Sequence, residues 1–203
     1  METMKKVALI LIECQNEWLS ENGKLRKLIK DKNQLSVSEK NIEAALKIAR
    51  NNEDIQVLHV TLRLNKGYPE FGKGPNIGLQ SAIPKAKTWI IGESGTEYYP
   101  KFKPLPGEFE ISGRVGASAF AGTNLDAYLR NNNIKKIYLT GYALHVCVES
   151  TLREAHDKGY NTTILIDATA SFTDQQKKYF INNTVHHFGH QIKTNQFLES
   201  VYL

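Results

Sequence analysis

Three residues with complementary chemistry, Glu13, Arg114 and Cys147, stand at the ends of separate strand-like segments. Cys147 lies where a run ending in Gly141-Tyr142 gives way to a helical pattern of Val148, Thr151, Leu152, Ala155 and Gly159. A helix N-terminus presents unpaired N–H groups and the positive end of the macrodipole. A thiol there is expected to have a lowered pKa, and the same N–H groups can hold an oxyanion. Glu13 directly follows the apolar run Val7–Ile12, and Arg114 follows the strand candidate Phe109–Ser112 across Gly113. A thiol, a carboxylate to take its proton and a cation to fix that carboxylate are the parts of nucleophilic catalysis. Each has a plainer reading too. Cys147 can be a small buried hydrophobe, Glu13 a strand-end acid bound to a loop, and Arg114 a surface arginine. His145 either lines a pocket or faces solvent. Cys14, next to Glu13, should point to the opposite face and reads as core.

The positioning elements are legible from hydrophobic pattern. Val7–Ile12 is apolar throughout, as a central parallel strand buried on both faces should be. Ile42, Ala45, Leu46 and Ala49 recur at helical spacing, and Ile55–Leu64 reads as a second strand. An irregular stretch rich in Gly and Pro then runs from Asn65 to about Glu108. Helices are expected from Thr123, over Val146–Lys158 and over Gln175–Phe188, with strands at Ile137–Thr140, Thr162–Asp167 and Gln191–Lys193. This alternation predicts a three-layer α-β-α, Rossmann-like α/β fold with a mostly parallel sheet of about six strands. Ligands in such sheets sit beyond the carboxyl ends of the strands.

The chain has 203 residues, 41% hydrophobic and 23% charged, a composition that excludes a disordered or collagen-like chain. One domain over 1–203 is expected. The net charge is +5, but the basic residues are scattered and no helix-turn-helix, finger or RNP-type motif occurs, so no nucleic-acid partner is expected. The first apolar run is too short for a signal peptide, and no stretch is long enough to cross a bilayer. The expectation is a cytoplasmic protein without a membrane partner, its two cysteines free thiols. Phosphate-loop and dinucleotide glycine motifs are absent after every strand candidate.

Taken in order, several segments resemble the isochorismatase-like cysteine hydrolase superfamily, which includes nicotinamidases, N-carbamoylsarcosine amidases and ureido-acid hydrolases. Leu11-Ile-Glu-Cys-Gln-Asn-Glu-Trp18 resembles its first-strand motif, Leu-(Ile/Val)-Asp-x-Gln-Asn-Asp-Phe. Gly95-Thr-Glu97 resembles a recurrent loop segment. Arg114-Val-Gly-Ala-Ser-Ala-Phe-Ala-Gly-Thr-Asn-Leu125 resembles Lys-x-x-x-Ser-Ala-Phe-x-Gly-Thr-x-Leu. Thr140 to Thr151 resembles the nucleophile turn, and Asp167-Ala168 the Asp-Ala after the fifth strand.

The resemblance implies a Cys147 nucleophile, a backbone oxyanion hole at Ala143 and Cys147, and a cis peptide at Tyr142–Ala143. The family's Asp falls on Glu13 and its Lys on Arg114. A longer acid with a forked cation can be a coordinated rearrangement or the trace of a lost activity. The nicotinamidase branch's Asp-x-His metal pair is not matched around His59, so no metal and no cofactor are expected. The retained cysteine favours hydrolysis of a C–N bond, amide or ureide, through a Cys147 thioester. The alternatives are an impaired member acting as a binding or assembly module, and an isochorismate-type ether hydrolase. Trp18, Tyr142 and His145 are candidate pocket residues, with Trp89, Tyr98 and Tyr99 as further aromatic walls and Arg63 or Lys66 as anion contacts. Small-molecule substrate and homo-oligomer are the expected partners, with the apolar stripe of Gln196–Tyr202 offered for subunit contact.

Overall fold

The computed structural model describes residues 7–74 and 77–203. Strands β1 (Val7–Ile12), β2 (Ile55–Val60), β3 (Phe109–Ile111), β4 (Lys136–Tyr142), β5 (Asn161–Ala170) and β6 (His190–Ile192) form one sheet in the order β3-β2-β1-β4-β5-β6. All neighbours pair in parallel. The helices are α1 (Asn16–Leu19), α2 (Lys32–Arg50), α3 (Leu79–Ala86), α4 (Leu125–Asn131), α5 (Glu149–Asp157), α6 (Asp174–Asn183), α7 (Val185–Phe188) and α8 (Phe197–Val201).

β1 shows why a continuous apolar run was required. Val7, Leu9 and Leu11 enter the core shared with α2 and α8, while Ala8, Ile10 and Ile12 enter the core shared with α4, α5 and α6. Side chains alternate along a strand, so a strand covered on both faces needs apolar residues at every position. Fully burying each large aliphatic side chain contributes about 1.5–3 kcal/mol. The β1–β4 seam also needs Gly141. Its φ is +109°, and a Cβ there would stand 2.0 Å from the Ile12 carbonyl oxygen.

Several boundaries differ from the sequence expectation. α2 begins at Lys32 because Asp31 caps it, accepting from the Asn33 N–H. β2 ends at Val60, and Leu64 instead makes an isolated bridge to Ile90. The expected helix Gln175–Phe188 is two helices broken at Thr184. Part of the tail's apolar stripe is spent within the chain: Phe197 and Val201 are buried in its own core, with the Phe197 ring 4.7 Å from that of Tyr138, while Leu198 and Tyr202 are exposed. No described helix is long and apolar enough to cross a membrane.

The chain runs outward from β1 through β2 to β3, then returns to the other side of β1 as β4. The switch point therefore lies between the ends of β1 and β4, where an open α/β sheet leaves its crevice.

Candidate active site

Glu13 leaves β1 at the switch point with a left-handed backbone, φ 53°, which is uncommon for a residue bearing a Cβ. Next to it, the buried Gln15 clamps two loops. Its Nε2 donates to the Leu62 and Thr96 carbonyls, at 3.1 and 2.7 Å, and its Oε1 accepts from the Leu62 N–H at 3.0 Å. Thr96 belongs to the Gly95-Thr-Glu97 segment, which meets α1 so closely that a Cβ on Gly95 would stand 2.3 Å from Glu17 Oε1.

The Glu13 carboxylate is fully buried, and each of its oxygens has a distinct neighbour. Oε2 accepts from Trp18 Nε1 at 2.9 Å, and Oε1 lies 2.8 Å from Arg114 Nη2 in an ion pair. Oε1 has no aligned hydrogen-bond donor among the described residues. Arg114 is buried as well. Its Nε donates to the Gly116 carbonyl at 3.0 Å and its Nη2 to that of Ala117. Those contacts curl the 114–117 segment around the guanidinium. Burial opposes the charged form of Arg114, but Glu13 and Cys147 beside it hold its pKa above the ordinary value. The cation is retained.

β4 ends in the cis peptide Tyr142–Ala143, and a π-type turn, Leu144–Val148, carries Cys147 into α5. Thr151 ties this turn to the Arg114 segment: its hydroxyl donates to the Cys147 carbonyl at 2.7 Å and accepts from the Ala119 N–H at 2.9 Å. Glu13 and Arg114 both come within side-chain hydrogen-bonding reach of the Cys147 thiol. The thiol pKa is raised, against the expectation of a lowered one. Burial pushes it up and the Glu13 carboxylate adds to that, while Arg114 pulls the other way. Desolvation disfavours the thiolate and outweighs the pull of the helix N-terminus.

Cys147 opens onto a cavity of about 560 Å³. Trp18, Ala143 and Trp89 line it, with Leu25, Leu28, Leu62 and Ile83 among the aliphatic walls. Tyr142 and His145 do not line it. Tyr142 is buried behind Trp18, ring centroids 6.1 Å apart, and its hydroxyl bonds Ser38; the His145 ring packs edge-on against Phe172 at 4.5 Å. Tyr98 and Tyr99 are not in the lining either, nor are Arg63 and Lys66. Arg63 lies 5.1 Å over the Tyr98 ring, which also meets the buried His59 edge-on. His59 Nε2 pairs with Glu108 at 2.7 Å. Among the described residues, no group of three or more His, Cys, Asp or Glu is placed to hold a metal ion. Cys14 is buried in the α2-side core.

Comparison with known proteins decides the relationship. The isochorismatase domain family matches residues 7–196. The chain belongs to the isochorismatase family. It is 30% identical over 174 residues to the ureidoacrylate amidohydrolase RutB of Cronobacter sakazakii, covering 80% of this chain and 73% of that protein. Its fold is shared with an isochorismatase-like hydrolase from Alkaliphilus metalliredigens, with TM-score 0.77, 24% identity and coverage of 96% and 98% of the two chains. The N-carbamoylsarcosine amidase of Thermoplasma acidophilum superposes with TM-score 0.70 at 21% identity, covering 94% of this chain and 97% of that one.

In this isochorismatase-family chain, sequence reasoning missed two positioning roles. Trp18, a pocket wall by sequence, also anchors Glu13. Thr151, a helix position by pattern, also ties the Cys147 turn to Ala119. Both roles depend on contacts across the fold that no local pattern encodes.

Proposed function

We propose that the protein hydrolyses a C–N bond of a small amide or ureide through a thioester on Cys147. The observation that supports this most is the convergence on one thiol of a buried carboxylate, Glu13, and a retained cation, Arg114. The kinship with proteins named amidohydrolase and amidase agrees with it.

The raised thiol pKa sets the order of events. Cys147 rests protonated, so its proton moves to Glu13 as sulfur attacks the carbonyl carbon. The C–S bond forms and the carbonyl π pair moves to oxygen. The backbone N–H groups of Ala143 and Cys147 are the donors assigned to that oxyanion. When the oxyanion collapses, the C–N bond breaks and the nitrogen takes the proton from Glu13, leaving as ammonia or an amine. Glu13 then accepts a proton from water, whose oxygen attacks the thioester. The C–S bond breaks, the proton returns to sulfur, and the acid is released. Arg114 holds Glu13 in register throughout. It does not itself move a proton, because a guanidinium stays protonated.

The test is ammonia release from a panel of primary amides and ureides. Turnover is expected for wild type and loss of about 1,000-fold or more for Cys147→Ala and for Glu13→Gln. Full turnover by Cys147→Ala would refute the proposal.

A further inference from the structure

We infer that the Cys147 cavity selects uncharged, apolar amides or ureides and rejects those bearing a carboxylate. The chemistry rests on the hydrolase reading above; the selectivity rests on the cavity alone. Among the described residues that line it, none is Asp, Glu, Lys, Arg or His. Among the described residues, the only polar lining side chains apart from the thiol and the Trp18 and Trp89 indoles are Gln80 and Thr88, and Thr88 Oγ1 is itself enclosed.

The charged side chains beside the thiol, Glu13 and Arg114, do not line the cavity. Arg114 Nε and Nη2 are engaged by the Gly116 and Ala117 carbonyls and Glu13; Nη1 has no partner among the described residues, but Arg114 does not line the cavity. Glu13 would repel an incoming carboxylate. A basic groove with Lys24, Arg26, Lys27, Lys30 and Lys32 lies alongside, but it shares only Ala86 with the Cys147 cavity. A carboxylate in the cavity would lose its hydration without gaining a charged partner among the described lining residues, a cost that outweighs any apolar contact made with it. Each methylene added to a neutral acyl chain should instead raise kcat/KM about fourfold until the cavity is filled.

The protein reports its own occupancy, because its 2 tryptophans, Trp18 and Trp89, both line the cavity. Tryptophan emission of the wild-type protein is titrated with phenylacetamide and with 4-carboxyphenylacetamide, and ammonia release from each is followed separately. The neutral amide is expected to bind at least about 100-fold more tightly than its carboxylate counterpart. Equal or tighter binding of the carboxylate would overturn the inference, as would no emission change with either compound. If neutral selectivity appears without ammonia release, the inference stands and the hydrolase reading falls. If both amides are hydrolysed with equal kcat/KM, the selectivity falls and the hydrolase reading stands.

Discussion

Trp18 and Trp89 give a matched pair of perturbations. Both line the cavity, both are nearly fully buried, and their rings meet edge-on with centroids 6.3 Å apart. Their indole nitrogens differ. Trp18 Nε1 donates to Glu13 Oε2 at 2.9 Å, whereas Trp89 Nε1 has no partner among the described residues. Replacing either by Phe removes similar apolar area, so that loss largely cancels in the comparison. Only Trp18→Phe also strips a buried carboxylate of a charge-assisted hydrogen bond, worth about 1.5–3 kcal/mol. For a chain of this size, each kcal/mol moves Tm by about 2–4 °C. Trp18→Phe should therefore melt about 3–12 °C below Trp89→Phe. Catalysis should separate the two as well. A Glu13 displaced by about 1 Å costs on the order of 100-fold in kcat/KM, and the Trp89 variant has no such route to the carboxylate. The assays are thermal unfolding followed by circular dichroism and ammonia release from the best amide of the panel. Equal melting temperatures and equal activities would refute the claim that Trp18 positions Glu13.

Three further outcomes follow from the same contacts. Glu13→Asp withdraws the carboxylate by roughly 1.5 Å from both Trp18 and Arg114, so kcat/KM should fall about 100-fold. If Glu13→Asp with Arg114→Lys instead far exceeded wild type in amide turnover, the natural pair would be an impaired one. Burial raises both thiols above their ordinary value of 9.0, while the unfolded chain still loses those protons near that pH. The folded state then holds more protons, so stability is full below about pH 9 and falls above it, by up to about 1.4 kcal/mol per pH unit per thiol. Urea unfolding between pH 8 and 10 should show a shallower decline in Cys14→Ala. Gly141→Ala forces a Cβ into the Ile12 carbonyl, and should cost about 4 kcal/mol or more, read as loss of soluble protein or a collapsed Tm.

How much of this was legible in the sequence depended on how local each cause was. β1 could be read to the residue because a doubly covered strand must be apolar at every position. The first half of α2 escaped notice because much of it is exposed and its start is fixed by a cap, not by an apolar stripe. The acid, cation and thiol could be placed on separate strand ends because parallel topology sends every strand end to one crevice. Their contacts could not be read. Tyr142 and His145 are neighbours of Cys147 in sequence, but they turn away from the cavity, while Leu25, Leu28 and Ile83 reach it from distant segments. The thiol's raised pKa likewise reflects enclosure by the whole fold, which a helix-terminus argument cannot include.

The central claim is that Cys147, protonated at rest, becomes acylated during turnover. Acid quenching of the wild-type protein during reaction with a neutral apolar amide, followed by peptide mass mapping, tests it most directly. The account expects an acyl adduct on the peptide containing Cys147, absent from Cys147→Ala and lost on hydroxylamine treatment. Steady turnover with an unmodified Cys147 peptide, or an adduct on Cys14, would contradict it.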